Sequence, residues 1–260
     1  MQASHCRRLE GKSIIVAGGS SGIGRVSAFR LAEEGARVIV AAPEGEVARL
    51  DAVVAEIAAR GGAARAQIFD ATCDDSAAAL VARAESEFGA LDAVHANFAD
   101  LRAIHDDSDA VEVSDEIFDR TLDVNLKGML RLTRHAVPAL LRRGGGALIY
   151  TSSTASLAGE PTRPCYAMSK GGLNALVRHV AVRWGINNIR ANAIMPGFIV
   201  TDENRDGIPS DWLDYMMAQT RAVRLGRPED IAAMVAMLAS ADGEWINGQT
   251  IAVDGGSILH

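Results

Sequence analysis

The sequence predicts a doubly wound α/β fold, in which helices cover both faces of a parallel sheet of about seven strands. Short apolar runs alternate along the chain with longer segments whose apolar residues recur at helical spacing. The first of them, residues 13–17, is a continuous apolar strand, which is typical of parallel strands that are buried on both faces. Strand–helix units joined by right-handed crossovers build such a sheet, with a ligand cleft at the carboxyl ends of its strands.

The first half of the chain predicts three strand–helix units followed by a fourth strand. The strands are expected over residues 13–17, 37–41, 66–69 and 91–96. The helices are expected from the glycine-rich loop after residue 17 to about Glu34, and over residues 46–60 and 75–88. A polar loop then continues to about Ser114.

The second half of the chain continues the alternation of strands and helices. A long helix is expected over residues 117–143, with a break near Pro138 because proline removes a helical hydrogen bond. Strands are expected over residues 146–151, 189–195 and 249–253, and further helices over residues 164–185 and 229–239.

Length and composition limit the class of protein. A chain of 260 residues with 48% hydrophobic and 23% charged residues fits one domain spanning residues 1–260. The net charge of −7 and the pI of about 5.4 argue against a nucleic-acid partner. No apolar run is long enough for a membrane span, and no signal peptide is recognisable. Three widely spaced cysteines predict reduced thiols, a cytoplasmic location and no metal site.

A glycine-rich loop follows the first predicted strand and leads into a helix, as a dinucleotide site requires. Glycines allow a tight turn and close approach of the cofactor, and the helix N-terminus receives its pyrophosphate. The chain is therefore expected to form a Rossmann-type sheet. The expected cofactor contacts in the loop are Gly18, Ser20, Ser21, Gly22, Ile23 and Gly24.

Tyr166 and Lys170 are four residues apart in a predicted helix and therefore share one face. An ammonium about 5 Å from a phenol, at an effective dielectric of about 20, favours the phenolate by roughly 3 kcal/mol, or about two pKa units. The pair is therefore suited to general acid–base work near neutral pH. Ser153, thirteen residues upstream, offers a hydroxyl. Alone, the pair is also compatible with a packed tyrosine beside a solvated lysine.

The glycine loop and this pair together resemble the short-chain dehydrogenase/reductase family. The resemblance covers about residues 9–258, with alanine at position 17 where threonine is usual. The further matching motifs are Asp123-Val124-Asn125-Leu126, Asn192-Ala193-Ile194-Met195-Pro196-Gly197, Gly226-Arg227-Pro228-Glu229-Asp230 and Val253-Asp254-Gly255-Gly256.

The resemblance implies a role for each of four residues. Tyr166 would exchange a proton with the substrate oxygen while hydride moves to or from the nicotinamide. Lys170 would lower the pKa of the tyrosine and hold the nicotinamide ribose. Ser153 would hydrogen-bond the substrate oxygen, and Asn125 would support a proton relay through water. Further cofactor contacts are implied at Asp70, Ala71, Asn97, Pro196, Gly197, Ile199 and Thr201.

One segment departs from the family pattern, and another leaves the choice between NAD and NADP open. Ala96-Asn97-Phe98-Ala99 stands where the family has Asn-Asn-Ala-Gly, so a methyl group could crowd the cofactor ribose and Phe98 could reshape the cofactor wall. At the end of the second strand, residues 41–44 offer no guanidinium for a 2′-phosphate, whereas Glu44 could bind ribose hydroxyls. The cofactor is therefore NAD or NADP, with NAD slightly favoured.

Four other features have competing interpretations. The segment at about residues 198–225 is expected to form a mobile apolar lid over the substrate, the alternative being an ordinary amphipathic helix. The acidic stretch of residues 106–109 is expected to be a solvated loop, the alternative being that the longer loop of residues 101–115 borders the pocket. His95 is expected to pack in the core or at its rim, and Cys165 to pack at the edge of the pocket.

These observations predict an NAD(P)-dependent enzyme that interconverts a secondary alcohol and a ketone. Family resemblance also implies a homotetramer, or a homodimer, joined through the helices of residues 117–143 and 164–185. The alternative from another class is a redox-silent dinucleotide sensor, which the altered segment of residues 96–99 keeps open. An enoyl-reducing enzyme is disfavoured because that type has its Tyr and Lys separated by six residues, and no lysine stands three residues after Lys170, at position 173.

Overall fold

The sheet carries the predicted topology. The computed structural model describes residues 7–259, and within them seven parallel strands form one sheet in the order β3-β2-β1-β4-β5-β6-β7. The strand order reverses between β1 and β4, so the carboxyl ends of these two strands border a crevice of the kind that binds dinucleotides. The strands are β1 (Ser13–Ala17), β2 (Arg37–Ala42), β3 (Ala63–Ile68), β4 (Ala93–Ala96), β5 (Gly146–Thr151), β6 (Ile189–Pro196) and β7 (Thr250–Val253).

Helices cover both faces of the sheet, and each face has its own apolar core. Helices α3, α5 and α6 supply residues to one core, and α1, α2 and α8 supply residues to the other. The helices are α1 (Gly22–Glu33), α2 (Val47–Ala59), α3 (Asp74–Phe88), α4 (Asp115–Leu122), α5 (Gly128–Arg143), α6 (Pro164–Trp184), α7 (Ser210–Gln219) and α8 (Pro228–Ala239).

Strand β1 shows why an uninterrupted apolar run predicted a central strand. All five of its residues are buried, because neighbours lie on both faces. Ile15 packs into the core beside α3 and α5, whereas Ile14 and Val16 pack into the opposite core. Alternate side chains of a strand point to opposite faces, so a strand buried on both sides has no position that faces water. The predicted doubly wound Rossmann-type fold is confirmed.

The long helix expected over residues 117–143 is instead two helices. Between α4 and α5 lies a π-helical turn, Asp123–Lys127, and Asn125 sits within it. Pro138, where a break was expected, lies inside α5 without ending it. π-helical turns are frequent at functional sites, and this one positions the side chain of Asn125 beneath the loop that follows β4.

Candidate active site

The glycine loop follows β1 and approaches the end of β4 very closely. Its first two amides, Gly18 N and Gly19 N, donate to the carbonyl oxygen of Ala41 at 2.8 and 2.9 Å. A Cβ at Gly18 would lie 2.8 Å from Phe98 N, and a Cβ at Gly24 would overlap the carbonyl oxygen of Gly18. Only glycine leaves room for this contact, which brings the start of α1 against the end of the sheet.

The N-terminus of α1 has no cap from its own chain segment, and the carboxylate of Glu203 binds there. Ser21, the residue before the helix, gives it no side-chain cap. The amide of Gly22 donates instead to Glu203 Oε1, at 3.2 Å. Burial raises the pKa of Glu203, but hydrogen bonds to Thr201 and to backbone amides, including Gly22, lower the pKa overall. Sequence reasoning missed Glu203, which follows the predicted contact Thr201 by two residues.

Asn97 closes a buried hydrogen-bond chain at the end of β4. Its Nδ2 donates to Gly18 O at 3.1 Å, and its Oδ1 accepts from Thr151 Oγ1 at 2.8 Å. The Thr151 hydroxyl uses its one proton there, so the contact of 3.0 Å from His95 Nε2 makes Nε2 the donor. Burial lowers the pKa of His95 to about 3, so its ring is neutral. The packing role expected for His95 holds, but the sequence did not indicate its bond to Thr151.

Lys170 is buried beside Tyr166 and is held by the main chain of β5. Its side chain is 2% exposed, and Nζ donates to the carbonyl oxygen of Thr151 at 2.8 Å. Burial lowers the pKa of Lys170 to about 8, so the ammonium form still predominates at neutral pH. The ammonium lies 5.6 Å from the centroid of the Tyr166 ring.

The pKa of Tyr166 is not lowered, although Lys170 is expected to bring it below the ordinary value. Burial raises the pKa of Tyr166, and a hydrogen bond with Ser153 only partly offsets that increase. The cause is desolvation. Burial removes water from the phenolate, and the nearby positive charges do not make up for that loss. Ser153 itself lies at the end of β5, where its Oγ accepts from Ala155 N at 3.2 Å. The structure thus brings Ser153, Tyr166 and Lys170 together.

Asn125 lies in the π-helical turn and is fully buried. Its Oδ1 accepts from the amide of Asp100 at 2.7 Å. Within residues 7–259 its Nδ2 finds no hydrogen-bond partner. A buried amide donor without a partner is costly, and such groups are often satisfied by an ordered water or a ligand.

The remaining predicted contacts lie around the same edge of the sheet. Beyond β3, hydrogen bonds from the side chain and backbone of Thr72 lower the pKa of Asp70. The carbonyl oxygen of the neighbouring Ala71 accepts from Arg131 at 3.0 Å. The partners of these two residues are Thr72 and Arg131 rather than Tyr166, so they extend the candidate site rather than forming its centre.

The chain that follows β6 returns to the glycine loop. A Cβ at Gly197 would lie 2.8 Å from Asp254 Cα, so Pro196-Gly197 passes tightly over the end of the sheet. Ile199 forms a bridge with Gly226. A Cβ at Gly22 would lie 3.4 Å from Thr201 Cγ2, which places the start of the segment of residues 198–225 against the glycine loop.

The acidic stretch of residues 106–109 is not entirely solvated, contrary to expectation. Asp107 is 2% exposed, and its two carboxyl oxygens accept from Cys165 N and Tyr166 N at 3.2 and 2.8 Å. Burial, together with a hydrogen bond to Asp107, raises the pKa of Cys165 to about 11. The thiol therefore stays protonated, which agrees with its expected packing role.

Within the described residues there is neither a membrane-spanning helix nor a cluster of metal ligands. No helix within residues 7–259 is long and apolar enough to cross a membrane. Over the same range, no three side chains of His, Cys, Asp or Glu come together as a metal site would need. Cys73 and Cys165 are free thiols, and Cys6 lies outside the described residues.

Known proteins resemble this chain over almost its full length. Residues 17–257 match the family described as enoyl-(acyl carrier protein) reductase. A protein of Bradyrhizobium diazoefficiens named "probable short-chain type dehydrogenase/reductase" is 37% identical over 254 residues, which cover 97% of this chain and 89% of that protein. A solved 7α-hydroxysteroid dehydrogenase complexed with NADH and 7-oxo glycochenodeoxycholic acid aligns with a TM-score of 0.90 and 31% identity, covering 100% of this chain and 99% of that one. A short-chain dehydrogenase of Burkholderia cenocepacia in complex with NADP aligns with a TM-score of 0.87 and 30% identity, covering 96% and 99%.

Replacing Gly24 with alanine should disrupt the glycine loop. The added methyl group would overlap Gly18 O and lie 2.9 Å from Asn97 Nδ2, so the contact between the loop and β4 must open. We expect a loss of stability of about 1–3 kcal/mol, as for other overpacked sites, measured by urea unfolding. Gly45→Ala is the matched control, because a Cβ at Gly45 meets nothing within 4 Å. Equal stability of the two variants would contradict the prediction.

Proposed function

The chain belongs to the short-chain dehydrogenase/reductase family, and we propose that it interconverts a secondary alcohol and a ketone. Membership makes it an NAD(P)-dependent oxidoreductase. The observation that carries the finer proposal is the convergence of Ser153, Tyr166 and Lys170 beside the glycine loop. Those groups supply a hydroxyl, a proton donor and a cation at one point, which suits an oxygen that gains or loses charge.

The proposed cofactor site fits a nicotinamide dinucleotide. Residues 18–24 offer a close backbone approach and a helix N-terminus that Ser21 does not cap, where a pyrophosphate would take the place of the Glu203 carboxylate. The bound cofactor would supply or accept the hydride. The other residues that we propose to hold it are Asp70, Ala71, Asn97, Tyr166, Lys170, Pro196, Gly197, Ile199 and Thr201.

Tyr166 is proposed to pass a proton to the ketone oxygen in reduction and to take it back in oxidation. Since burial raises the pKa of its phenol, the cofactor-free chain keeps Tyr166 protonated and ready to act as an acid. Ser153 would donate a second hydrogen bond to the same oxygen. The buried ammonium of Lys170 would stabilise negative charge as it forms on the phenol. The unpaired amide of Asn125 would hold a water that resupplies the proton.

NAD is proposed as the preferred dinucleotide. Glu44 follows the end of β2 and is exposed, so it is free to accept from ribose hydroxyls. Arg25, the cation closest to the loop in sequence, pairs with Glu56 at 3.3 Å and with Asp202 at 3.8 Å. A 2′-phosphate would have to break these pairs and face Glu44.

We propose that residues 198–225 cover the substrate. Helix α7 buries none of its residues, and Trp212 and Tyr215 are 47% and 54% exposed. Their rings lie 5.4 Å apart and form an apolar surface that a substrate could complete. Proteolysis in this segment should slow when cofactor and substrate are bound together, and an unchanged rate would count against a lid.

A homotetramer, or a homodimer, is proposed through α4, α5 and α6. An apolar groove lies between these helices and includes Leu122, Leu126, Leu130 and Leu176, of which Leu130 is 42% exposed. Association would remove that surface from water. A monomeric mass in light scattering would contradict this proposal.

The alternative functions predict different results in binding and activity assays. A redox-silent sensor would bind the dinucleotide tightly yet turn over no substrate in a broad panel. Enoyl reduction is suggested by the description of the matching family, but the spacing from Tyr166 to Lys170 argues against it. Activity on a panel of alcohols, ketones and enoyl thioesters, with both dinucleotides, separates the three.

The Tyr166→Phe variant tests the proposed reaction. Removing the proton donor should lower kcat by about 10²–10⁴-fold, the usual contribution of general acid–base catalysis. Dinucleotide affinity should change little, because the ring remains. Tyr150→Phe is the matched control, since its hydroxyl bonds Thr133 within the core. Turnover by Tyr166→Phe equal to that of the control would exclude the proposed mechanism.

The pH dependence of ketone reduction should report the charge of Lys170. As pH rises through about 8, Lys170 loses its proton, whereas Tyr166, whose pKa is raised, keeps its own. We therefore expect kcat/KM to fall on the alkaline side near pH 8. Lys170→Arg should move that fall to higher pH, because a guanidinium stays charged. Lys127→Arg, at an exposed position, should not move it, and a fall that is identical in all three proteins would contradict the assignment.

The cofactor preference should depend on Glu44. Titration calorimetry should give a lower Kd for NAD than for NADP, because a carboxylate repels the 2′-phosphate. Glu44→Gln should narrow the difference, by about tenfold for one removed like-charge contact of roughly 1.4 kcal/mol. Glu46→Gln is the control, since Glu46 already pairs with Arg49. A preference for NADP in the unmodified protein would overturn the proposal.

A further inference from the structure

The loop between β4 and α4, residues 97–114, is attached to two of the segments that carry candidate catalytic residues, the turn with Asn125 and the start of α6. Near its start, the amide of Asp100 donates to Asn125 Oδ1 at 2.7 Å. Near its middle, the carboxyl oxygens of Asp107 accept from the first turn of α6. One loop therefore contacts the turn that holds Asn125 and the helix that holds Tyr166.

Helix α6 begins without a cap of its own. Arg163, the residue before the helix, has φ of 68° and gives it no side-chain hydrogen bond. Pro164 has no N–H, so the first amides that need an acceptor are those of Cys165 and Tyr166. Asp107 accepts both, at 3.2 and 2.8 Å, although it is distant in sequence. A carboxylate at this end of a helix also interacts favourably with the helix dipole.

The backbone around Asp107 fixes the same junction. The amide of Arg163 donates to the carbonyl oxygens of Asp107 and Ser108, at 3.0 and 2.9 Å. Asp107 is 2% exposed, so water cannot easily replace it as the acceptor. The start of α6 therefore has one defined position relative to the loop.

This junction affects the position of the Tyr166 side chain more than that of Lys170. Lys170 lies one turn further on, and its own bond to the carbonyl oxygen of Thr151 holds it. The phenol of Tyr166 has only the hydroxyl of Ser153 as a hydrogen-bond partner among the groups that act on it. Its placement depends on where the first turn of α6 lies.

We propose that Asp107 is a positioning residue, which sets the start of α6 so that the phenol of Tyr166 meets the substrate oxygen. The proposal rests on the proposed function. A residue that merely capped the helix would affect stability and leave the turnover of folded protein unchanged. A positioning residue changes kcat as well.

Amide exchange in the unmodified protein tests the junction first. Amides in the first helical turn usually exchange freely, and those of α7, including Trp212, provide the internal comparison because that helix has no side-chain cap. We expect the Tyr166 amide to exchange about 100-fold more slowly than that of Trp212. Equal rates would overturn the proposal, whether or not any variant folds.

Asp107→Asn then tests the consequence for the reaction. It keeps one acceptor oxygen, and we expect kcat to fall about 10–100-fold, with KM for the dinucleotide changed by less than about twofold. Asp106→Asn makes the same change one residue away, at an exposed position, and should retain full activity. An unchanged kcat in folded Asp107→Asn, or an equal loss in Asp106→Asn, would overturn the proposal.

A titration that needs no substrate separates this proposal from the proposed function. The chain has three tyrosines, so ¹³Cζ-tyrosine NMR resolves Tyr166, which Tyr166→Phe identifies. In Asp107→Asn its apparent pKa should fall, because a looser first turn admits water to the buried phenol, while the charged groups around the phenol, Arg163, Glu160 and Lys170, are unchanged. An unchanged midpoint would overturn the positioning role. If the unmodified protein turns over no alcohol or ketone while the midpoint still falls, the proposed function fails and the positioning of Tyr166 stands.

Discussion

The burial of one ammonium group is the constraint on which the rest of the site depends. A buried cation without an acceptor is strongly destabilising, and Lys170 has the carbonyl oxygen of Thr151 as its acceptor. The hydroxyl of the same threonine joins His95 and Asn97. Thr151 thereby links β4, β5 and α6, and through Asn97 it reaches the glycine loop. A shift in any of these elements would leave a buried polar group without its partner.

The sequence predicted those features that depend on local pattern. Uninterrupted apolar runs located the strands, and the spacing of Tyr166 and Lys170 indicated their shared helical face. It could not predict the raised pKa of Tyr166, because burial depends on elements far along the chain. For the same reason Asp107 read as part of a solvated loop, although its partners are the amides of Cys165 and Tyr166. The π-helical turn at Asn125 was missed, and the helices on either side of it were taken for one.

The departure from the family pattern at residues 96–99 has a physical compensation. Phe98 turns towards the core, where its ring meets Phe69 edge-on with centroids 5.2 Å apart. Gly128 leaves room for it, since a Cβ there would lie 3.1 Å from Phe98 Cε2. The side chain of Asn97 is held by Thr151, which in turn is held by His95. The polar contacts at the end of β4 are thus supplied by neighbours that a local motif does not include.

The contact between Glu203 and the amide of Gly22 has a consequence for how the protein meets its cofactor. One N–H group at the start of α1 cannot serve two anions fully, so a pyrophosphate that takes it must displace the carboxylate. Glu203 belongs to the chain that leads into α7. If the dinucleotide binds at this loop as proposed, it exchanges one anion for another, and the displaced carboxylate belongs to the segment proposed to cover the substrate. Binding at the loop would then be coupled to the position of that segment.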